Sequence, residues 1–150
     1  MEAQRFSESG DYPKAAEALE RALQESPEYA EARVNLGAQY VRMGRFDAAV
    51  SELNRAAAIA GPSAVVYCNL ASAQARLGKH PEAIESARSA LRLDQSWVQA
   101  HLILGALLAN DPRTKGEAIV HLERAAEQYE SARHLLQRLR GTSASVSPVP

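Results

Sequence analysis

The sequence contains few of the residues that disulfide-stabilised, metal-binding and β-rich folds require. Its one cysteine, Cys68, excludes an internal disulfide and a thiolate cage for zinc or an iron–sulfur cluster. Aromatic residues make up 5% of the chain, whereas 29 residues are alanine. This composition favours a core of closely approaching helices and argues against a β-sandwich.

The sequence also lacks a strong charge imbalance and a long apolar run. It has 17 basic and 18 acidic residues, a formal net charge of −1 at pH 7, so it has no basic surplus of the kind that nucleic-acid-binding surfaces carry. The longest uncharged apolar run, 102–109, has eight residues, whereas a membrane-spanning helix needs about 20. We therefore expect neither nucleic acid nor membrane insertion.

Export and catalytic motifs are missing as well. Glu2 stands where a signal peptide would carry positive charge, so the sequence as given has no signal-peptide pattern. The compartment is therefore unknown, with the cytoplasm as the default expectation. Gly78-Lys79 lacks the other residues of a phosphate-binding loop, and no Gly-x-Ser-x-Gly elbow occurs. The histidines at 80, 101, 121 and 134 never have the His-x-x-x-His spacing of metal ligands, so we expect no metal and no cofactor.

A spacing of 34 residues recurs along the chain and determines the predicted architecture. Gly10, Gly44 and Gly78 are separated by this step. Further columns are Ala15, Ala49 and Ala83; Ala22, Ala56 and Ala90; Leu36, Leu70 and Leu104; Gly37, Ala71 and Gly105; and the rings of Tyr12, Phe46 and His80. A single amphipathic helix has a period of about 3.6 residues, so the longer period indicates repeated units of supersecondary structure.

Each unit is predicted to be a helical hairpin. Between 30 and 63, apolar and small residues follow helical spacing up to Gly44, whose position suits a left-handed residue after a helix C-terminus. A second apolar series starts at Phe46 and ends at Gly61-Pro62, because proline disfavours helix. One hairpin cannot bury its own apolar face, so the stack is the folding unit.

The columns of small residues have a steric explanation. We predict that Gly37 and Ala71 face Ala49 and Ala83, so that the two helices of a hairpin approach at the short end of the usual range of about 8 to 10 Å. The ring column at 12, 46 and 80 is expected to wedge between successive hairpins.

This pattern resembles the tetratricopeptide repeat family. The second unit has Leu36-Gly37, Tyr40, Gly44, Phe46, Ala49, Leu53, Ala56 and Gly61-Pro62, and the third has Tyr67, Leu70-Ala71, Gly78, Ala83 and Ala90. In the fourth unit, Ala118 and Ala125 follow Ala83 and Ala90 by 35 residues, which indicates a one-residue insertion in the turn at 111–114. The resemblance implies an all-α fold, a right-handed α-α superhelix of about three and a half hairpins with a C-terminal capping helix.

The predicted solenoid covers 1–141, with units at 1–29, 30–63, 64–97 and 98–130 and a cap at 131–141. Residue 1 falls at the sixth position of the repeat, so we expect the chain to begin inside a repeat, and to be monomeric or to associate weakly through that end. The segment 115–140 is compatible with one long helix or two. The residues at 142–150 have the composition of a flexible linker or tail.

The resemblance implies that the first helices of successive hairpins line a concave groove. The groove positions hold Val34, Asn35, Ala38, Arg42, Val65, Cys68, Asn69, Ser72, Arg76, Gln99, Leu102 and Ile103. Asn35 and Asn69 are equivalent, and either hydrogen-bond a peptide main chain or bond within the repeat. Arg42 and Arg76 are equivalent too, and either hold a carboxylate or form a solvated basic face.

Some members of this family grip acidic chaperone tails with a clamp of Lys, Asn, Asn, Lys and Arg. The corresponding positions are Val34, Ala38, Asn69, Gln99 and Ile103, of which Asn69 alone matches. We therefore do not expect a chaperone tail as the ligand.

The predicted function is a non-catalytic protein-interaction module, with a scaffold or assembly role, that binds a peptide or partner segment in the groove. One alternative is a structural segment of a longer repeat array without a specific ligand. Another is an enzyme that uses Cys68 as a nucleophile, with His101 as a nearby base on the next first helix. The enzyme alternative lacks an evident orienting acid, and a free cysteine is usually a small buried hydrophobe.

Overall fold

The computed structural model describes residues 2–141, which form α-helices joined by short turns and contain no strand. The helices are α1 Glu2–Glu8, α2 Tyr12–Glu25, α3 Ala30–Arg42, α4 Phe46–Ala60, α5 Ala64–Arg76, α6 His80–Leu93, α7 Val98–Leu108, α8 Lys115–Ala125 and α9 Glu130–Gly141. Successive pairs from α1 to α8 are hairpins one to four, and α9 follows them. The predicted all-α fold is confirmed, whereas the predicted tail at 142–150 lies outside the described residues.

Glycine ends the first helix of hairpins one to three. Gly10, Gly44 and Gly78 have φ values of 78°, 73° and 74°, a left-handed conformation that only glycine adopts without strain. After α3, the Arg45 N–H donates to the Tyr40 carbonyl, and after α5 the Lys79 N–H donates to the Gln74 carbonyl. The prediction that these glycines end the first helices is therefore confirmed.

Hairpin four makes its turn differently. A 3₁₀ turn, Pro112–Thr114, precedes α8, and the Thr114 hydroxyl donates to the Leu108 carbonyl at 2.7 Å. This longer turn accommodates the inserted residue, because Ala118 and Ala125 are fully buried, as Ala83 and Ala90 are in hairpin three. The alternatives for 115–140 are also resolved: α8 ends at Ala125 and α9 begins at Glu130.

The close contact inside hairpin two is between Gly37 and Leu53. A Cβ atom built on Gly37 would lie 2.6 Å from the Leu53 Cγ, and one on Gly105 would lie 2.7 Å from the Leu122 Cγ. The nearest neighbour of Gly37 across the hairpin is thus Leu53 and not the predicted Ala49. The leucine lies four residues further along α4, one helical turn beyond the expected contact, and its branched side chain takes up the space that glycine leaves.

Polar contacts join hairpin two to hairpin one. The Tyr40 hydroxyl donates to the Glu20 carboxylate at 2.5 Å, and burial together with this bond raises the pKa of Tyr40 to about 12. The buried Gln39 amide donates to the Ser7 hydroxyl at 3.3 Å. The other end of the stack is covered by α9, whose Leu136 joins the core cluster that contains Leu104 and Leu122.

Candidate functional site

Two adjacent clefts open where α3 and α5 begin. The N-terminal cleft, about 700 Å³, is lined by Glu2, Ala3, Gln4 and Ser7 of α1, by Ala18, Leu19, Arg21, Ala22 and Glu25 of α2, and by Tyr29, Glu31, Ala32, Asn35 and Gln39. The second cleft, about 330 Å³, is lined by Ala30, Glu31, Val34, Asn35, Ala56, Ala60, Gly61, Ser63, Val65 and Val66. Glu31 and Asn35 line both clefts and therefore lie where the two clefts adjoin.

Asn35 and Asn69 occupy equivalent positions but differ in their partners. The Asn69 Nδ2 donates to the Val65 carbonyl at 3.0 Å, one turn earlier in α5. Asn35 is exposed, and its side chain makes no hydrogen bond to any residue within 2–141. The alternative of bonding within the repeat therefore holds for Asn69, while the Asn35 amide keeps both donors and its acceptor free.

The two groove arginines stack on rings of the preceding hairpin. The Arg42 guanidinium carbon lies 5.4 Å from the Tyr12 ring centroid, and that of Arg76 lies 5.2 Å from the Phe46 centroid. Arg42 also donates to the Ser7 hydroxyl at 2.9 Å. Both distances are within the range of a cation–π attraction. These contacts occupy the arginines, so the idea that they are held ready for a carboxylate loses support.

The same contacts give the ring column its role between hairpins. Tyr12 and Phe46 are half-buried at the start of α2 and α4. Each ring lies 30 residues before the arginine that covers it. This second regular spacing is present in the sequence but does not show in its composition. His80, the third member of the column, is exposed.

Cys68 does not line the groove, and this prediction is corrected by the structure. Its side chain is 2% exposed and packs with Ala90, Ala100 and Trp97. Burial raises the pKa of the Cys68 thiol to about 11, although a hydrogen bond from Trp97 opposes the shift. The thiol therefore stays protonated near neutral pH, and a protonated thiol is a poor nucleophile.

His101 is not held as a base for Cys68. Its Nε2 lies 3.0 Å from the Gln95 carbonyl oxygen, and its Nδ1 lies 2.8 Å from the Nδ1 of His121. A carbonyl only accepts, so Nε2 carries the proton of neutral His101, and Nδ1 accepts from His121. Both ring nitrogens are thus engaged away from Cys68.

The remaining predicted groove residues are divided between the clefts and the rest of the surface. Val34 and Val65 line the second cleft together with Asn35. Neither cleft includes Ala38, Ser72, Gln99, Leu102 or Ile103. Gln99 is exposed and the other four are half-buried, so their contact with a ligand stays a prediction.

The fourth position of the repeat forms polar contacts that sequence reasoning missed. In hairpin two, Arg33 at this position donates to the Glu52 carboxylate at 2.6 Å and to the Pro27 carbonyl at 2.7 Å. In hairpin four, the same pair of positions is held by His101 and His121. The sequence contained one indication of this pairing. Once the one-residue insertion is counted, Glu52 and His121 occupy the same position of the repeat.

Metal-binding clusters and membrane-spanning helices are both absent from residues 2–141. No group of three or more His, Cys, Asp or Glu residues in that range is arranged to hold a metal ion. None of the helices described there is both long and apolar enough to cross a membrane.

Sequence and structure comparisons agree with the repeat pattern. Two models described as tetratricopeptide repeat match residues 7–77 and 64–96. No curated protein matches the chain. Among solved structures, MamA is 20% identical with a TM-score of 0.80, covering 96% of this chain and 85% of its own.

Two other solved structures show the range of proteins that share this fold. YrrB, a TPR protein with an unusual peptide-binding site, is 18% identical with a TM-score of 0.74, covering 97% of this chain and 76% of its own. A Thermobaculum terrenum O-GlcNAc transferase mutant is 27% identical with a TM-score of 0.75, but the match covers 87% of this chain and only 25% of the transferase. These likenesses establish the fold as a tetratricopeptide repeat solenoid.

Proposed function

The chain belongs to the tetratricopeptide repeat family, and we propose that it binds a segment of a partner protein along the two adjoining clefts. The fold and its neighbours support the broader statement, that it is a protein-interaction or scaffold module. The finer proposal is that the segment crosses the beginnings of α3 and α5, with Asn35 as the main polar contact.

The observation that carries this proposal is the free amide of Asn35 between the two clefts. A peptide main chain presents alternating donors and acceptors, and an asparagine side chain pairs with both. Val34 and Val65, the latter 37% exposed, supply apolar contact on one side of the amide. YrrB, described as having an unusual peptide-binding site, supports peptide binding as a use of this fold.

We propose binding rather than catalysis. The sole thiol is buried and protonated, and the histidine nearest to it in the repeat is engaged by a carbonyl and by a second histidine. Asn35, the side chain on which this proposal rests, is an amide, which binds but does not act as an acid, a base or a nucleophile.

The test is a selection from a random peptide library on the unmodified protein, followed by affinity measurements with Asn35→Ala. Loss of two hydrogen bonds of about 0.5 to 1.5 kcal/mol each predicts roughly a tenfold drop in affinity for Asn35→Ala. Asn69→Ala is the matched control: it makes the same chemical change at the equivalent position, where the amide is already bonded within α5. We expect it to change affinity by about twofold or less.

Two results would contradict the proposal. An affinity that Asn35→Ala leaves unchanged, with helicity retained by circular dichroism, would remove Asn35 from the binding site. Failure of the unmodified protein to retain any library peptide would instead favour the alternative of a structural segment without a groove ligand.

A further inference from the structure

The residue before the first helix of a hairpin is aromatic in hairpins two and four and small in hairpin three. Tyr29 precedes α3 and Trp97 precedes α7, whereas Ser63 precedes α5. Tyr129 likewise precedes α9, which follows the hairpins. The Ser63 hydroxyl accepts from the Val66 N–H at 3.3 Å, a capping bond that neither Tyr29 nor Trp97 makes. Hairpin three therefore has a small helix cap where its neighbours have a ring.

Trp97 shows what such a ring covers at the junction of hairpins three and four. The indole packs on a buried cluster formed by Cys68, Ala90 and Ala100. Cys68 is 2% exposed under this cover and also receives a hydrogen bond from the Trp97 side chain. The ring therefore fills the space between the end of one hairpin and the start of the next.

The second cleft occupies the equivalent place at the junction of hairpins two and three. The residues 34 positions before Cys68, Ala90, Ala100 and Trp97 all line this cleft, and they are Val34, Ala56, Val66 and Ser63. A serine side chain is far smaller than an indole, and the space left open is about 330 Å³. Val34 is accordingly half-buried, whereas Cys68 is buried. The cleft thus corresponds to a ring that hairpin three does not supply.

Two exposed residues of the second cleft are apolar where their repeat equivalents are polar. Ala60 is exposed and Val65 is 37% exposed, and both line the cleft. The residues 34 positions later are Asp94 and Gln99. Covering the two apolar side chains would be favourable in proportion to the area removed from water. The open junction therefore combines a space of the right shape for a ring with an apolar rim.

We propose that the second cleft receives one aromatic side chain of the partner segment, which takes at this junction the place that Trp97 takes at the next. Asn35 lines the same cleft, so a segment that is hydrogen-bonded to its amide has the cleft within reach. An aromatic side chain buries about 150 to 250 Å² when it is covered, more than a small aliphatic one. This inference rests on the proposed function, for which it names the side chain that the segment carries.

The first test uses the peptides that are selected on the unmodified protein. We expect an aromatic residue at one constant position of these peptides, and a loss of affinity of about tenfold or more when alanine replaces it. Fluorescence anisotropy of the labelled peptides measures this loss. Alanine at any other apolar position of the same peptide is the control and should cost less.

A substitution that supplies the ring from within the chain locates the effect. Ser63→Trp should fill the cleft, and should therefore weaken the aromatic peptide by about tenfold while leaving the weaker binding of its alanine counterpart unchanged. Ser63→Ala is the matched control, because it removes the same capping hydroxyl but leaves the cleft open. We expect Ser63→Ala to change the affinity by about twofold or less.

The fit of a ring can also be measured without a peptide. The chain has one tryptophan, so in a Trp97→Phe background the indole introduced by Ser63→Trp is the sole source of tryptophan fluorescence. We expect its emission to lie at a shorter wavelength than that of an indole in water. Emission typical of a fully exposed indole, with helicity retained by circular dichroism, would overturn the inference because the cleft would then not accommodate a ring.

Three binding results would also overturn the inference. Two are an aromatic residue that alanine replaces without loss, and an affinity that Ser63→Trp leaves unchanged. The third is self-association in sedimentation that Tyr29→Ala and Ser63→Trp each abolish, because the ring would then come from a second copy. If selected peptides depend on Asn35 but carry no aromatic residue, this inference fails and the proposed function stands. If Ser63→Trp blocks aromatic peptides but Asn35→Ala has no effect, the proposed role of Asn35 fails instead.

Discussion

Hairpins two and three have the same spacing and the same glycine turn, but their interiors are filled differently. In hairpin two the large Leu53 of α4 lies against Gly37 of α3. In hairpin three the equivalent residues are Ala87 and Ala71, and both are fully buried. The comparison shows that the steric condition at a hairpin crossing applies to the pair of residues, so that glycine is needed only where a leucine faces it.

Hairpin four supports this interpretation because it again pairs a glycine with a leucine, as hairpin two does. Gly105 faces Leu122 at the same close distance, although the turn between their helices is one residue longer. The alternation of large and small residues therefore follows the crossing and does not depend on the turn.

The largest expected effect is that of Leu53→Ala. Leu53 is fully buried, and removing its branched end beside a glycine leaves a cavity that no neighbouring Cβ fills, so we expect a loss of about 2 to 5 kcal/mol in the free energy of unfolding. Urea denaturation measures it. Leu93→Ala is the control, since Leu93 is 50% exposed and the same change there should cost within about 0.5 kcal/mol. Similar losses at both sites would contradict the assigned packing.

A smaller effect is expected from Gly37→Ala, and it should depend on Leu53. The added Cβ would overlap the Leu53 side chain, and overpacking of this kind costs about 1 to 3 kcal/mol. Combining Gly37→Ala with Leu53→Ala reproduces the alanine pair of hairpin three, so the double variant should be more stable than Leu53→Ala alone. Strictly additive losses in the double-mutant cycle would refute the idea that the pair acts as a unit.

The repeat columns predicted the helices, the glycine turns and the buried alanines, because those features depend on residue type at fixed spacing. The depth of individual side chains was less predictable. The repeat pattern correctly placed Cys68 on the first helix of a hairpin. The burial of Cys68 was not predicted, because it depends on contact with Trp97, which lies at a different position of the repeat. The difference between Asn35 and Asn69 could not be predicted from the sequence either. The two residues share a repeat position, and they differ only in the side-chain hydrogen bond that Asn69 makes.

Hairpins two and four share the glycine–leucine contact but differ in the polar pair beside it, and this difference predicts a pH dependence. Burial, followed by the neighbouring His101, lowers the pKa of His121 below its ordinary value of 6.5; Arg88 and Arg124 act in the same direction, while Glu117 opposes them. The unfolded chain therefore binds a proton more readily at this residue than the folded chain. The contribution of His121 to stability is full above about pH 6.5 and is lost as the pH falls below it.

Urea denaturation of the unmodified protein and of His121→Gln across this pH range checks the prediction. The glutamine amide still donates to the His101 Nδ1 but does not titrate in this range, so this variant should lose less stability on acidification. His134→Gln is the control, because the His134 side chain is 70% exposed. An acid dependence that His134→Gln reduces as much as His121→Gln would contradict the role given to the His101–His121 pair.

The smallest expected effect concerns the stacked arginines, for which hairpins two and three again give a matched pair. Arg76→Met keeps most of the apolar stem over Phe46 and removes the charge, so it should cost about 0.5 to 1 kcal/mol, the usual value of an exposed cation–π contact. Arg42→Met should cost slightly more, because Arg42 also donates to Ser7 on α1. Thermal unfolding of both variants measures the difference. If neither change lowers the melting temperature, the arginines are free for a ligand and their stacking is incidental; if Arg76→Met is the more damaging, the bond to Ser7 contributes nothing to joining hairpins one and two.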